Sequence, residues 1–240
     1  MRKLRSTLRY MDPRKLFVDE RLTGICSYCG GPPDTRDHVP SRVLLDEPYP
    51  ENLPVVAACR TCNESFSQDE EYIACFIECV MHGTAEPDLV ESPKIKRILS
   101  NRPSLAARIR ESRKEDAAGN IVWQADADRV RNVVLKLARG HMAFDLSLPH
   151  LEDPAIISFK PIVMMSEEEL TAFESLRENE LFPEVGSRAF ISVCESPEGE
   201  RHDWNVVQPG KYRYRVEQTL EGNDVRFVIR EYLACQVIWM

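Results

Sequence analysis

Two cysteine pairs, Cys26-Ser-Tyr-Cys29 and Cys59-Arg-Thr-Cys62, stand with 29 residues between them. A CxxC turn presents two thiolates from one tight loop, and zinc takes four tetrahedral ligands, so two such turns complete one structural zinc site. The intervening chain then has room for two strands and a loop. A redox dithiol would follow a strand in a βαβ unit, and neither pair does. Cys75 and Cys79, spaced i, i+4, are within reach of a metal in principle, but four ligands already suffice. Those two, with Cys194 and Cys235, are assigned to core packing.

The rest of the composition narrows the setting. No apolar run approaches the roughly 20 residues that span a bilayer, and the first 25 residues are Arg/Lys-rich without the apolar stretch of a secretory signal. These features place the chain in the cytoplasm, where eight cysteines point to metal ligation or buried thiols rather than disulfides. A net charge of −8 and a pI near 5.3 argue against a protein that coats nucleic acid through bulk positive charge. Positive charge is local: Arg2 to Lys15 form a basic leader, and Lys94 to Lys114 carry eight basic residues against Glu111. Solvated surface is the default reading of both runs.

Along the chain, Gly24 to Pro33 reads as a turn-rich knuckle, followed by short strands near Thr35–Val39 and Leu53–Ala58. Ser67-Gln-Asp-Glu70 is a capping-box pattern that launches a helix from Asp69 to about His82. Helices are expected over Lys94–Leu99, Ser104–Lys114 and Asp126–Phe144. In the last, Val130, Val133, Val134, Leu137 and Ala138 recur at helical spacing. Strands are expected over Ile156–Met165, Arg188–Glu195, Trp204–Gln208, Lys211–Glu217 and Val225–Trp239, with a helix around Glu167–Arg177. The fold class is α+β: a zinc-stapled module over residues 1–85, then helices and a C-terminal antiparallel sheet over 86–240.

Between the cysteine pairs lie Thr35-Arg-Asp-His-Val-Pro40 and Asn52-Leu-Pro-Val-Val56, and Asn63 follows Cys62 directly. The order CxxC, Asp-His-Val-Pro, Asn before a strand, and CxxC-Asn opening a helix resembles the zinc-bearing HNH endonuclease family over about residues 24–80. The resemblance implies a ββα-metal core and metal-assisted phosphodiester hydrolysis. It implies His38 as general base, Asp37 and Asn63 as protein ligands of a catalytic Mg²⁺ or Mn²⁺, and Asn52 as the residue that orients His38. Many relatives carry a lysine three residues after the final asparagine, where this chain has Phe66; Arg36, Arg42 or Arg60 are candidates to replace its phosphate contact.

The chemistry suits those roles. Asp and Asn oxygens suit Mg²⁺, which keeps several waters, and an ordinary imidazole titrates near 6.5, so it accepts protons at cellular pH. Asp37 and His38 are neighbours, so on a strand they point to opposite sides, and the backbone must bend near Val39-Pro40 for both to serve one site. Competing readings remain: Asp37-His38 as support around the zinc, and Asn63 as a helix cap. His82, His141, His150 and His202 have no partner at ligand spacing and are assigned to surface or core. Lys211, Arg213 and Arg215, with Arg226 and Arg230 beside them, read as a solvated sheet face or a backbone-contacting one, and the helix bearing Arg129, Arg131, Lys136 and Arg139 shares that ambiguity. The expected function is an HNH endonuclease acting on nucleic acid, DNA first, with a partner protein or homo-oligomer supplying grip. The alternative is a catalytically silent zinc module that binds nucleic acid or a protein.

Overall fold

The computed structural model describes residues 24–175, 181, 183–195 and 204–240. The basic leader and His202 lie outside them, as does the side chain of Cys194. Strands β1 (Thr35–His38) and β2 (Val55–Ala58) pair antiparallel, with Asp37 opposite Val56 and His38 opposite Val55. Helix α1 (Arg60–His82) follows. Then come α2 (Pro93–Asn101), α3 (Pro103–Ser112), a small hairpin of β3 (Arg113–Glu115) with β4 (Ile121–Trp123), and α4 (Ala127–His141). Strand β5 (Ile156–Pro161), α5 (Glu167–Glu174) and α6 (Arg188–Glu195) precede β6 (Asn205–Gln208), β7 (Tyr212–Thr219), β8 (Gly222–Ile229) and β9 (Leu233–Trp239). The C-terminal sheet is antiparallel in the order β5-β9-β8-β7-β6, so the α+β class holds.

One apolar core runs from Cys26 through Tyr72, Val133 and Leu137 to Phe227 and Trp239, crossing residues 85 and 86 without a break. Helices α1 and α4 form its spine. Residues Tyr72 to Cys79 of α1 are buried without interruption, because the β1/β2 pair, α2 and α4 all pack against that helix. Helix α4 approaches the end of β1 closely: a Cβ on Gly140 would lie 2.6 Å from Val39 Cγ2. Charged contacts tie the same regions, since Arg230 Nη1 lies 2.5 Å from Glu78 of α1 and its Nη2 3.3 Å from Asp46.

Three expectations are corrected. Helix α1 begins at Arg60, nine residues before Asp69, because Cys59 caps it and accepts a bond from Cys62 N at 3.4 Å. Ser67 instead back-bonds to Glu64 O at 2.8 Å inside the helix. Arg188–Glu195 is helical, with Phe190 N donating to the Ser187 hydroxyl at 3.1 Å at its start. The stretch from Val225 to Trp239 is two strands joined at Arg230 and Glu231, whose φ values are 55° and 46°. Neither residue is a usual occupant of positive φ, and the ion pairs of Arg230 hold it there.

Arg215 and Arg226 of the basic sheet face are neither solvated nor open to a phosphate backbone, while Lys211 at its end is half-buried and pairs with Asp46 at 2.7 Å. Arg215 and Arg226 are 3% and 2% exposed beneath α5. Arg226 Nη1 donates to the carbonyls of Ala172, Phe173 and Ser175 at 2.9–3.1 Å, and Arg215 Nη2 donates to Phe173 and Ser175. These are the orphan carbonyls of a helix C-terminus, where positive charge is favourable. Asp224 and Glu217 complete the cluster at 2.9 and 3.6 Å from Arg226 Nη2.

Candidate metal centre and cavity

The knuckle forms because Gly30 adopts φ 73° and the amides of Cys26 and Gly30 close on Gly31 O and Cys26 O at 2.7 and 2.9 Å. Ser27 N then bonds Ala57 O at 2.9 Å, which fixes the knuckle against β2. Cys59 ends β2 and opens α1, so both CxxC turns meet at one point. The four sulfurs of Cys26, Cys29, Cys59 and Cys62 lie within 4.8 Å of one another, and Cys29 Sγ is 3.8 Å from Cys59 Sγ. A tetrahedral zinc with bonds of about 2.3 Å sets sulfur–sulfur edges near 3.8 Å, so the cluster fits a metal such as zinc. Among the described residues it is the one group of three or more His, Cys, Asp or Glu side chains that converges this way. Burial raises the Cys26 thiol, but amide donors at Cys59, Tyr28 and Cys29 outweigh it and bring the thiol below its ordinary value. Cys75, Cys79 and Cys235 are buried free thiols; burial pushes all three up, Cys79 to about 12.

Beside this cluster, β1 carries Asp37 and His38 and ends there, followed by a cis Val39-Pro40 peptide. Although neighbours on a strand, both line one cavity of about 310 Å³, with Ser41, Ser67, Glu70 and Arg102 among its other walls. Asp37 is 7% exposed. Its Oδ2 accepts from the Tyr28 hydroxyl at 2.7 Å and faces Lys136 Nζ at 2.7 Å, while its Oδ1 takes no bond from a described residue. Burial, then the charge of Asp37, push the Tyr28 phenol well above its usual value, so it is a donor. Asn63 sits in the first turn of α1 and its amide donates to Arg36 O at 3.2 Å and Thr35 Oγ1 at 3.4 Å. Thr35 and Asp37 alternate onto the same face of β1, so α1 brings Asn63 to the Asp37 side.

Asn52 lies exposed in the turn before β2, and its amide makes no hydrogen bond to another described residue. Phe66 packs edge-on against Tyr28, ring centroids 5.3 Å apart, which accounts for an aromatic at that position. Of the arginines considered beside it, Arg60 donates its backbone N–H to Asp34 at 2.6 Å while its exposed guanidinium lies 4.0 Å from the same carboxylate, Arg36 is exposed, and Arg42 lines the cavity with its guanidinium 5.4 Å from the Tyr49 ring centre. Tyr28 and Ser41 escaped sequence reasoning. Lys136, read there as part of a solvated or backbone-contacting helix face, is instead 1% exposed, and Glu70, read as half of a capping box, lines the cavity inside α1; the position of Lys136 at the margin of the apolar stripe of α4 is a faint signal of its burial.

Among the described residues, the other histidines do not reach the site. His82 pairs with Glu78 at 3.3 Å, and His150 stacks on Trp239 with centroids 4.8 Å apart. His141 is wholly buried, stacked on Tyr214 at 3.7 Å and bonded to the Tyr212 hydroxyl at 2.8 Å. Comparisons with family models, curated proteins and solved structures returned no match.

Proposed function

We propose that this chain is a metal-dependent endonuclease of the HNH type that hydrolyses phosphodiester bonds in nucleic acid, with DNA as the expected substrate. The observation that carries the reading is that Asp37 and His38, adjacent on a strand, line one cavity with an Asp37 oxygen that takes no donor from the described residues. Zinc on Cys26, Cys29, Cys59 and Cys62 is the structural ion; it fixes the knuckle and the start of α1, and so the approach of Asn63 to β1. Asp37 Oδ1 and the Asn63 amide oxygen are the hard-oxygen donors that would hold Mg²⁺ or Mn²⁺; Asp37 lines the cavity, whereas Asn63 stands against β1 outside its lining residues. When bound, such an ion offsets the charge on the phosphate and leaving oxygens. His38 takes the proton from the attacking water. Arg42 at the cavity wall supplies local positive charge to a chain whose net charge is −8, Arg102 there being paired with Glu71 at 3.0 Å, and a partner protein or second copy supplies further grip.

A catalytically silent zinc module that binds nucleic acid or a protein is the second reading, favoured by the ion pair that Lys136 already makes with Asp37. Incubating the zinc-loaded protein with supercoiled, linear and single-stranded DNA and with RNA, in Mg²⁺, Mn²⁺ or EDTA, separates the two. Metal-dependent cleavage that EDTA stops supports the nuclease; binding without cleavage on every substrate supports the silent module.

A further inference from the structure

We infer that Lys136, on α4 and far outside the HNH-like segment, is the positioning residue of the candidate catalytic site, so that residues beyond 85 complete a site begun before it. The inference rests on the reading of Asp37 as an ion ligand. Lys136 is 1% exposed; its ammonium donates to Glu70 Oε1 at 2.6 Å and Ser41 Oγ at 2.7 Å, and it forms an ion pair with Asp37 Oδ2 at 2.7 Å. Ser41 in turn donates to Glu70 Oε1. The ammonium therefore ties together the ends of β1 and of the Pro40–Ser41 bend with the middle of α1, which are the elements that wall the cavity. Two carboxylates face one cation, and both line the cavity.

A buried ammonium is a costly way to attach a helix. Its neighbours on α4, Val133, Val134, Leu137 and Ala138, are apolar and buried, and an apolar side chain of similar volume commonly serves stability as well as a buried ion pair does. What an apolar side chain does not do is choose between the two oxygens of Asp37. With Oδ2 bonded to the Tyr28 hydroxyl and paired with Lys136, Oδ1 is the oxygen of this cavity-lining carboxylate that takes no bond from a described residue. This is the arrangement by which partners behind a ligand orient it, and their loss commonly weakens metal binding about 10- to 100-fold. His38, the next residue on the strand, inherits the same fixed backbone.

The test uses the full chain with zinc bound and reads Mn²⁺ binding by loss of the free-ion EPR signal, besides cleavage, zinc content and melting. Lys136→Met is expected to keep its zinc and a cooperative melt while binding Mn²⁺ about 10- to 100-fold more weakly, with the Mg²⁺ concentration for half-maximal cleavage raised by a similar factor. If Lys136→Met does not fold, the double variant Lys136→Met/Glu70→Gln, which leaves the formal charge of the cluster unchanged, carries the same expectation. Wild-type affinity in a folded variant overturns the role of Lys136, provided Asp37→Ala loses Mn²⁺. Absence of Mn²⁺ binding by the wild type, or retention of it by Asp37→Ala, overturns the ion site itself and the inference with it.

Discussion

Replacing Gly140 with alanine isolates the contact between α4 and the strand end that carries His38. In an exposed helix the change gains about 1 kcal/mol, because alanine loses less backbone freedom than glycine. Here the new Cβ would stand 2.6 Å from Val39 Cγ2 and 3.0 Å from Cγ1. Val39 is wholly buried, β-branched and followed by Pro40, so its methyls have one comfortable rotamer and little room to leave it. Overpacking of this kind costs about 1–3 kcal/mol, which exceeds or cancels the propensity gain and leaves a net loss of up to about 2 kcal/mol. For a chain of this size each kcal/mol moves Tm by about 2–4 °C, so Gly140→Ala is expected to melt several degrees lower. The strain falls on the residue next to His38, so cleavage should drop by more than the lost stability explains. Differential scanning calorimetry beside a cleavage assay measures both. A Tm raised above the wild type, the gain expected of an exposed helix, would refute the close packing of α4 on Val39.

Other consequences are as direct. Removing the cluster's metal with a strong chelator, or Cys59→Ser, should unfold the region from Cys26 to α1, because the four cysteines tie the knuckle to the start of the helix; a serine hydroxyl still caps α1, so the loss reports the metal, and far-UV circular dichroism unchanged after complete metal loss would contradict it. Stability should fall as pH drops below about 6.5. Burial, with Lys136 adding to it, holds His141 well below its ordinary value, and burial also lowers His150 against the opposing charge of Glu152. Below that pH the unfolded chain takes up protons that the folded chain refuses, so folding loses free energy as pH falls; urea midpoints at pH 7.5 and 5.5 should differ, and the gap should narrow in His141→Phe. Arg226→Ala should cost about 3–5 kcal/mol, because it strips the guanidinium from buried Asp224 and Glu217 and from the end of α5; urea denaturation showing a loss under 1 kcal/mol would refute that role.

What could be read in the sequence was whatever depended on local spacing. The cysteine quartet announced itself by its two CxxC turns, and the strand, strand, helix order around it followed from short apolar runs and turn residues. Helix α4 was legible from its stripe. The start of α1 was not, because a sulfur cap at Cys59 has no place in the usual list of caps while Ser67 does. The turn at Arg230 and Glu231 carries neither glycine nor asparagine; its backbone is held by Glu78 and Asp46 from the far side of the chain. The same distance hid the cavity network. Asp37 and His38 were visible as a pair, yet Lys136 and Glu70, which decide how Asp37 is held, reach it only through the packing of α4 on α1.

The central claim is that His38 acts as a base on a phosphodiester. The most direct test is supercoiled plasmid cleavage in Mg²⁺ by wild type and His38→Ala, with zinc content and melting measured on the same samples. His38 is half-buried at the cavity, so its truncation should leave zinc and fold intact while the rate falls about 10²–10⁴-fold, the contribution of a positioned base. A folded, zinc-loaded His38→Ala that cuts as fast as the wild type would contradict the account.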